Sequence, residues 1–328
     1  AASFGQSIVA SVPLRSLTTK LSQRNVMDQQ HPSPSRWAIV LAGGEGTRMQ
    51  PLVHRWLGFN RPKQYCAFVG SRSMFQHTVD RAALVTAPER IVAVVGRDHR
   101  DEILTQLQGR TIGQVIYQPR NCETAAGPFL PLTYIHARAP GATVVIFPSD
   151  HFIHPEDRFL AAVCRMAGLA ETMPDRLVLL GIRPDRLEME YGWILPGAAL
   201  SSQEDAPLCE VHSFMEKPNR IQAVKAFRHG ALWNTFVFAA RAELLWQVGT
   251  RCFPDVMRRF ERLRSVIGRS QEAEVLDAIY EDMPAYNLST TLLQQAAESA
   301  VVVELQDVLW SDWGQPARVA ETLRRIGR

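Results

Sequence analysis

From Arg36 onward, the sequence alternates short apolar runs with longer stretches of helical periodicity. The short runs are apolar almost throughout, which is typical of strands that are buried on both faces. Strands that alternate with helices in this way predict an α/β fold with a doubly wound, mostly parallel sheet. The predicted strands are WAIVLA, RIVAVVG, QVIYQ, ATVVIFPSD and LVLLGI, and the predicted helices between them are SMFQHTVDRAALV, RDEILTQLQ, TAAGPFLPLTYIHARA and PEDRFLAAVCRMAGLAE.

After Leu187 the pattern changes to strands that are interrupted by polar turns, followed by helical stretches. We therefore expect one domain over residues 36–328, made of a first half (36–186) and a smaller mixed β/α half (187–328). Residues 1–35 are rich in Ser, Gln and Pro and show little periodicity, which predicts a disordered leader.

Composition excludes several classes of protein. The 36 basic and 33 acidic residues nearly cancel, so no overall positive charge points to a nucleic-acid partner. The five cysteines form no CxxC pair, which favours reduced thiols and a cytoplasmic location. No uninterrupted apolar stretch reaches the roughly 18 residues that a membrane helix needs. We expect neither a nucleic-acid partner nor a membrane partner.

The segment LAGGEGTR directly follows the first predicted strand. Clustered glycines indicate a tight turn or a closely approaching ligand, and the arginine favours an anionic one. A P-loop would need a lysine at the end of the motif, and a dinucleotide-binding loop would need a glycine where Met49 stands. An ordinary glycine-rich turn stays open as an alternative on this segment alone.

The wider sequence is similar to a known family. LAGGEGTRMQPL together with RPKQYCAF resembles the sugar-nucleotide pyrophosphorylases, and PKQ followed by an aromatic residue resembles the mannose-1-phosphate guanylyltransferase branch. Further segments resemble the family in the same order: YQPRNCETAAGPFLPL, FPSDHFI, EYGWI, FMEKPN, WNTFVF and VVVELQDVLWSDWGQPARV.

The resemblance implies a Rossmann-like nucleotidyltransferase fold and a Mg²⁺-dependent reaction. A nucleotidyl group would pass from a nucleoside triphosphate, with GTP favoured, to a sugar 1-phosphate, and pyrophosphate would leave. The expected product is GDP-mannose, and the resemblance allows a homodimer. Two alternatives stay open: transfer to another base and sugar pair, and a catalytically silent paralogue that binds nucleotide sugars.

The resemblance also implies roles for individual residues. Loop amides would cradle phosphate oxygens, a loop arginine would bind them with two parallel hydrogen bonds, and two carboxylates would hold Mg²⁺. The implied catalytic residues are Arg48, Lys63 and Lys217; the nucleotide-binding residues are Leu41, Ala42, Gly43, Gly44, Gly46, Thr47, Gln118 and Thr124; the sugar-binding residues are Gly192, Glu216 and Asn234; and the metal ligands are Asp150 and Asp312.

The two aspartates are far apart in the sequence and are expected to meet at one metal ion. Two carboxylates at close range repel each other and raise a pKa unless a cation lies between them. We therefore expect that replacing Asp150 or Asp312 by Asn spares, or even improves, stability in the absence of metal. His151 is expected to support this site or pack beside it rather than to bind the metal.

Overall fold

The structure, a computed structural model, describes residues 36–201 and 207–327, and the leader predicted over residues 1–35 lies outside this range. The strands are β1 (Arg36–Ala42), β2 (Ile91–Gly96), β3 (Gln114–Gln118), β4 (Thr143–Pro148), β5 (Phe152–His154), β6 (Leu177–Ile182), β7 (Gly192–Ser201), β8 (Leu208–Glu216), β9 (Leu232–Arg241), β10 (Ala300–Leu305) and β11 (Leu309–Ser311). The helices are α1 (Gln50–Leu57), α2 (Met74–Ala83), α3 (Arg100–Gln106), α4 (Glu123–Arg138), α5 (Glu156–Thr172), α6 (Arg220–Arg228), α7 (Ala242–Cys252), α8 (Pro254–Arg264), α9 (Glu272–Glu281) and α10 (Pro316–Arg325).

Within the described residues, nine strands form one mixed sheet in the order β3-β2-β1-β4-β9-β6-β10-β8-β7. The pairs among β3, β2, β1 and β4 are parallel, as is the pair of β6 and β10. Strand β9 enters antiparallel between β4 and β6, so the two predicted halves of the chain share one sheet. The predicted α/β fold is confirmed, and the sheet is parallel mainly in its first part.

Alternate residues of β1 face two separate apolar layers. Ile39 packs in a core with α4, α7, α8 and α9, whereas Ala38 and Val40 pack in a core with α2, α3 and α5 on the other face. Because both faces are covered, the strand must be apolar at successive positions, which explains the continuous apolar runs. None of the described helices is long and apolar enough to cross a bilayer. The five cysteines are all free thiols.

A short antiparallel ribbon of β5 and β11 stands beside the main sheet. Its register pairs Trp310 with Ile153 and Ser311 with Phe152. Asp150 comes just before β5, and Asp312 comes directly after β11. The ribbon therefore brings two aspartates from distant parts of the chain to the same place, at the end of β4.

Candidate active site

A cavity of about 480 Å³ opens at the carboxyl ends of β1 and β4. In a parallel sheet, this edge is where ligands bind. Twelve of the residues proposed from the sequence line it: Leu41, Ala42, Gly43, Gly44, Gly46, Thr47, Arg48, Lys63, Gln118, Thr124, Asp150 and Asp312.

The glycine loop after β1 is held by its carbonyl groups. The side-chain amide of Gln64 donates to the carbonyl oxygens of Ala42, at 3.0 Å, and Gly44, at 2.7 Å. The hydroxyl of Ser149 donates to the carbonyl oxygen of Leu41 at 2.7 Å. Over the described residues, the backbone amides of positions 43–46 donate no hydrogen bond to the protein. The loop is therefore anchored while its donors stay available at the cavity wall.

The glycines of this loop are not equivalent. Gly46 has a φ of +62°, and a Cβ there would lie 3.2 Å from the backbone nitrogen of Lys63, so both conformation and space require glycine. A Cβ on Gly43 would lie 3.4 Å from the side-chain oxygen of Gln118 and 3.8 Å from the backbone nitrogen of Gly96, and both are ordinary contact distances. A Cβ on Gly44 would have no atom of the described chain within 4 Å. Of the three glycines in this loop, Gly46 alone is required by the backbone conformation and the packing of the described residues.

Lys63 joins the two aspartates. Its short helical turn follows Pro62, and only 10% of its side chain is exposed. The ammonium nitrogen lies 2.9 Å from a carboxylate oxygen of Asp150 and donates to the backbone carbonyl of Asp312, also at 2.9 Å. One cation thus contacts both residues that the sequence assigned to the metal.

The carboxylate of Asp312 is bound by a second cation, Arg318 of α10. One guanidinium nitrogen lies 2.8 Å and 3.1 Å from its two oxygens. The Tyr191 hydroxyl and the Gly314 amide also donate to Asp312, at 3.1 Å and 3.0 Å. Arg318 is 5% exposed, contacts Glu188 at 3.1 Å and lies 4.4 Å from the centre of the Tyr191 ring.

These contacts set the charge state of Asp312. Burial raises its pKa, but the positive charges of Lys63 and Arg318 outweigh that effect, and the pKa of Asp312 lies below its ordinary value. The raised pKa expected for two adjacent carboxylates without a cation between them is therefore not found at Asp312. Each carboxylate has its own cation, and the protein itself supplies the compensating charge.

The donor set fits a magnesium ion that is bound together with a phosphate ligand. Asp150 and Asp312 present carboxylate oxygens to the cavity, and one Asp312 oxygen accepts only a 3.1 Å contact from Arg318 among the described residues. In the described chain, no group of three or more His, Cys, Asp or Glu side chains is placed to hold a metal. Magnesium needs only one or two carboxylates when water and phosphate oxygens complete its shell.

Arg48 lies at the mouth of the cavity, where its guanidinium contacts Glu190 at 2.7 Å. Both side chains are about half exposed, so this ion pair adds little stability and can exchange for a ligand. A Cβ on Gly314 would lie 3.4 Å from a guanidinium nitrogen of Arg48, so the end of the Arg48 side chain lies close to the segment after β11.

The proposed sugar residues form a second group, beside the cavity. Gly192 of β7 pairs with Glu216 of β8, and the pairing of Trp193 with Trp233 places Asn234 alongside Gly192. A Cβ on Gly192 would lie 2.9 Å from a Glu216 carboxylate oxygen, so the approach is close. Burial raises the pKa of Glu216.

Lys217 is placed differently from the other proposed catalytic residues. It is exposed, follows the end of β8 with a φ of +45°, and does not line the cavity. Its backbone nitrogen donates to the carbonyl of Tyr191 at 3.1 Å. The structure thus brings Arg48 and Lys63 to the cavity and leaves Lys217 outside its lining.

Sequence reasoning missed several residues of the site. Arg318 lies in the charged helix segment QPARVAETLRRIGR, where an arginine ordinarily faces solvent. Gln64 directly follows Lys63 yet is 3% exposed, and nothing in the sequence marks it as a loop anchor. His151 is buried and accepts a hydrogen bond from the Trp310 indole at 3.3 Å, in agreement with the supporting place expected for it.

Comparisons with known proteins identify the family of the chain. Residues 37–326 match the family model described as nucleotidyl transferase. The chain is 30% identical over 296 residues to the xanthan biosynthesis protein XanB of Xanthomonas campestris pv. campestris strain B100, covering 88% of this chain and 60% of the relative. It is 28% identical over 286 residues to the mannose-1-phosphate guanylyltransferase of Escherichia coli K12, covering 85% and 58%.

Solved structures of related proteins share the fold of this chain. A structure described as mannose-1-phosphate geranyltransferase from Thermus thermophilus superimposes with a TM-score of 0.71 at 27% identity, covering 85% of this chain and 76% of that one. An apo UDP-glucose pyrophosphorylase, at 16% identity and a TM-score of 0.54 over 89% of this chain and 98% of that one, shares the fold alone. The chain spans about 60% of the length of the curated relatives that it matches first. Since the family model covers nearly all of the described residues, the chain belongs to the nucleotidyl transferase family.

Proposed function

We propose that the protein transfers a nucleotidyl group from a nucleoside triphosphate to a sugar 1-phosphate, most specifically from GTP to mannose 1-phosphate, releasing pyrophosphate. This proposal rests on one observation, which is that cationic, anionic and backbone groups meet at one cavity. They are loop amides that donate to no described residue, the side chains of Lys63 and Arg48, and two carboxylates. The guanine and mannose assignments follow the names of the relatives and the resemblance of the RPKQY segment.

The reaction joins two polyanions, so charge neutralisation and alignment dominate its chemistry. The amides of Gly43 and Gly44 can donate to phosphate oxygens, and Arg48 can exchange Glu190 for a phosphate with two parallel hydrogen bonds. The open space at Gly44 supports this role, because no described protein atom explains the lack of a side chain there. Lys63, which lines the cavity, would neutralise charge beside the transferring group.

No protein nucleophile is needed, because the attacking sugar phosphate oxygen is already ionised near neutral pH. Asp150 and Asp312 would hold a Mg²⁺ ion, whose chemistry is to withdraw charge from the phosphate oxygens that it binds. When no ion is bound, Lys63 and Arg318 balance the two carboxylates. The apolar residues Leu41, Val94 and Pro128 form a wall that suits a planar base. We retain a cytoplasmic location and a homodimer as further predictions.

The test is pyrophosphate release from a matrix of nucleoside triphosphates and sugar 1-phosphates in the presence of Mg²⁺. We expect the highest kcat/KM with GTP and mannose 1-phosphate. Maximal activity with another pair would keep the reaction and replace the substrates. Tight binding of a nucleotide sugar without turnover of any pair would instead identify a silent paralogue.

A matched pair of variants tests the role of Arg48. Arg48→Ala should lower kcat/KM for the triphosphate by about 100-fold, the usual effect of removing one donor to a developing charge. Arg55→Ala, an exposed arginine on α1 that does not line the cavity, should leave the kinetics unchanged. Equal kinetics for the Arg48 variant and the parent would contradict the phosphate assignment.

A further inference from the structure

Phe236 adopts a backbone conformation that is rare for a bulky residue. Its φ is +58°, in the left-handed region that glycine and asparagine tolerate and that large side chains seldom occupy. Such conformations persist only where the surrounding structure holds them, and they cluster at functional sites.

The surrounding strand is built to hold this conformation. Leu179 of β6 pairs with Phe238 of β9, and Gly181 pairs with Asn234, so Leu180 alone faces the three residues 235–237. This irregularity is a β-bulge, a feature that redirects a side chain and is common next to active sites.

Hydrogen bonds stabilise the bulge from within. The Thr235 hydroxyl donates to the Leu180 carbonyl at 2.6 Å, and the Phe236 amide donates to the Asn234 side-chain oxygen at 3.1 Å. Asn234, proposed from the sequence as a sugar-binding residue, therefore also shapes the backbone that carries Phe236.

The bulge places Phe236 at the cavity. Thr235 and Val237 are 0% and 1% exposed, whereas Phe236 is only partly buried and lines the cavity wall. Its position lies between the end of β4, which leads to Asp150, and the group formed by Asn234, Gly192 and Glu216. Phe236 thus stands at the junction between the proposed nucleotide and sugar regions.

We propose that Phe236 determines the size of the sugar that the site accepts. Its ring narrows this junction, so that the site takes a plain hexose 1-phosphate and rejects one that carries an N-acyl group. The inference rests on the proposed function. A glycine or an asparagine would adopt the same backbone more easily, which indicates that the ring itself is the reason for the strained residue.

The competing explanation is that the ring only fills the core, since it packs edge-on against Phe238 at 6.1 Å between ring centres. Two variants separate these roles. Phe236→Gly removes the ring and the backbone strain, and Phe236→Asn removes the ring but keeps a side chain that tolerates the left-handed region. Phe227→Ala, which truncates a 42% exposed phenylalanine on α6 away from the cavity, is the control.

The experiment compares glucose 1-phosphate with N-acetylglucosamine 1-phosphate, which differ by one N-acetyl group. Binding of each to the full chain is measured by calorimetry, and pyrophosphate release with each is measured in the presence of GTP and Mg²⁺. The parent protein and the Phe227 variant should prefer glucose 1-phosphate by about 10-fold or more, a usual range for steric discrimination in a pocket. Both Phe236 variants should lose most of this preference.

Equal binding of the two sugars by the parent, or an unchanged preference in both Phe236 variants, would overturn the inference. A lower thermal midpoint with an unchanged preference would assign the ring to the core alone. The binding measurement stands apart from turnover. An altered binding preference without pyrophosphate release from any pair of the substrate matrix, mannose 1-phosphate included, would refute the proposed function and support the role of Phe236. Pyrophosphate release from one of those pairs with an unaltered preference would support the proposed function and refute the role of Phe236.

Discussion

The substitution Asp312→Asn tests whether Arg318 neutralises the Asp312 carboxylate in the folded protein. The substitution keeps a side-chain oxygen that can accept from Gly314 and Tyr191, and it removes the negative charge that faces Arg318. Because only 5% of the Arg318 side chain is exposed, water replaces the lost partner poorly. Among the described residues, the arginine then keeps one anionic contact, Glu188 at 3.1 Å.

The expected effect on stability follows from these contacts. Breaking a buried ion pair by removing one partner costs about 3–5 kcal/mol. The remaining Glu188 contact and the retained oxygen reduce this to about 2 kcal/mol, near the value of a hydrogen bond to a charged group. We therefore expect Asp312→Asn to lower the free energy of unfolding by about 2 kcal/mol in the absence of metal.

The loss of folding stability in the Asp312→Asn variant should also depend on pH in a defined direction. Because the pKa of Asp312 is lowered by folding, its contribution is fully present above its unfolded pKa of about 3.9 and disappears as the pH falls through the folded pKa. The difference between parent and variant should therefore be constant from neutral pH down to about pH 5 and shrink below about pH 4.

The assay is urea unfolding in a metal chelator, at pH 7 and at several acidic values. A double-mutant cycle with Arg318→Met isolates the pair, and we expect a coupling energy of about 1–3 kcal/mol. Asp307→Asn, whose carboxylate is 74% exposed, is the control and should change stability by less than about 0.5 kcal/mol. An Asp312 variant that is as stable as the parent, or more stable, would refute the reasoning and restore the repulsion between the two aspartates.

Three further substitutions test the glycine loop and the ion pair between Arg81 and Glu156. Gly46→Ala should lower the free energy of unfolding by about 1 kcal/mol or more, because the φ of Gly46 is positive and Lys63 lies too close for a side chain. Gly44→Ala should leave urea unfolding unchanged and weaken triphosphate binding in calorimetry. The reverse pattern would contradict the binding of phosphate by the loop amides. His77, which lies 3.3 Å from the Glu156 carboxylate, and the charge of Arg81 lower the pKa of Glu156 to about 2 despite the partial burial of this group. The stabilisation that Glu156 provides is therefore lost as the pH falls from about 4.5 toward that value. Since over a third of the Glu156 side chain is exposed, Glu156→Gln should lower the free energy of unfolding by only about 1 kcal/mol at pH 7. If the urea unfolding curves of the parent and the Glu156→Gln variant stayed apart at about pH 2, the lowered pKa of Glu156 would be contradicted.

The strands and the main wall of the cavity could be predicted from the sequence alone. The runs QVIYQ and LVLLGI became β3 and β6 with the predicted limits, because a strand buried on both faces must be apolar at successive positions. The glycine loop and Asp150 were recognisable for a similar reason. They directly follow such strands, and polar or glycine-rich residues at the end of a buried strand have no role in the core.

Features that depend on contacts between distant residues could be seen only in the tertiary structure. Hydrophobic periodicity does not reveal strand direction, so the antiparallel entry of β9 between β4 and β6, and the bulge at Phe236, could not be read from the apolar pattern. The Asp312 carboxylate acquires its charge partner only because α10 brings Arg318 against it, while the β5–β11 ribbon brings Asp312 close to Asp150 and Lys63. An arginine in a charged helix has the same local sequence whether it faces water or a buried carboxylate, since burial and desolvation are properties of the assembled chain and not of the segment.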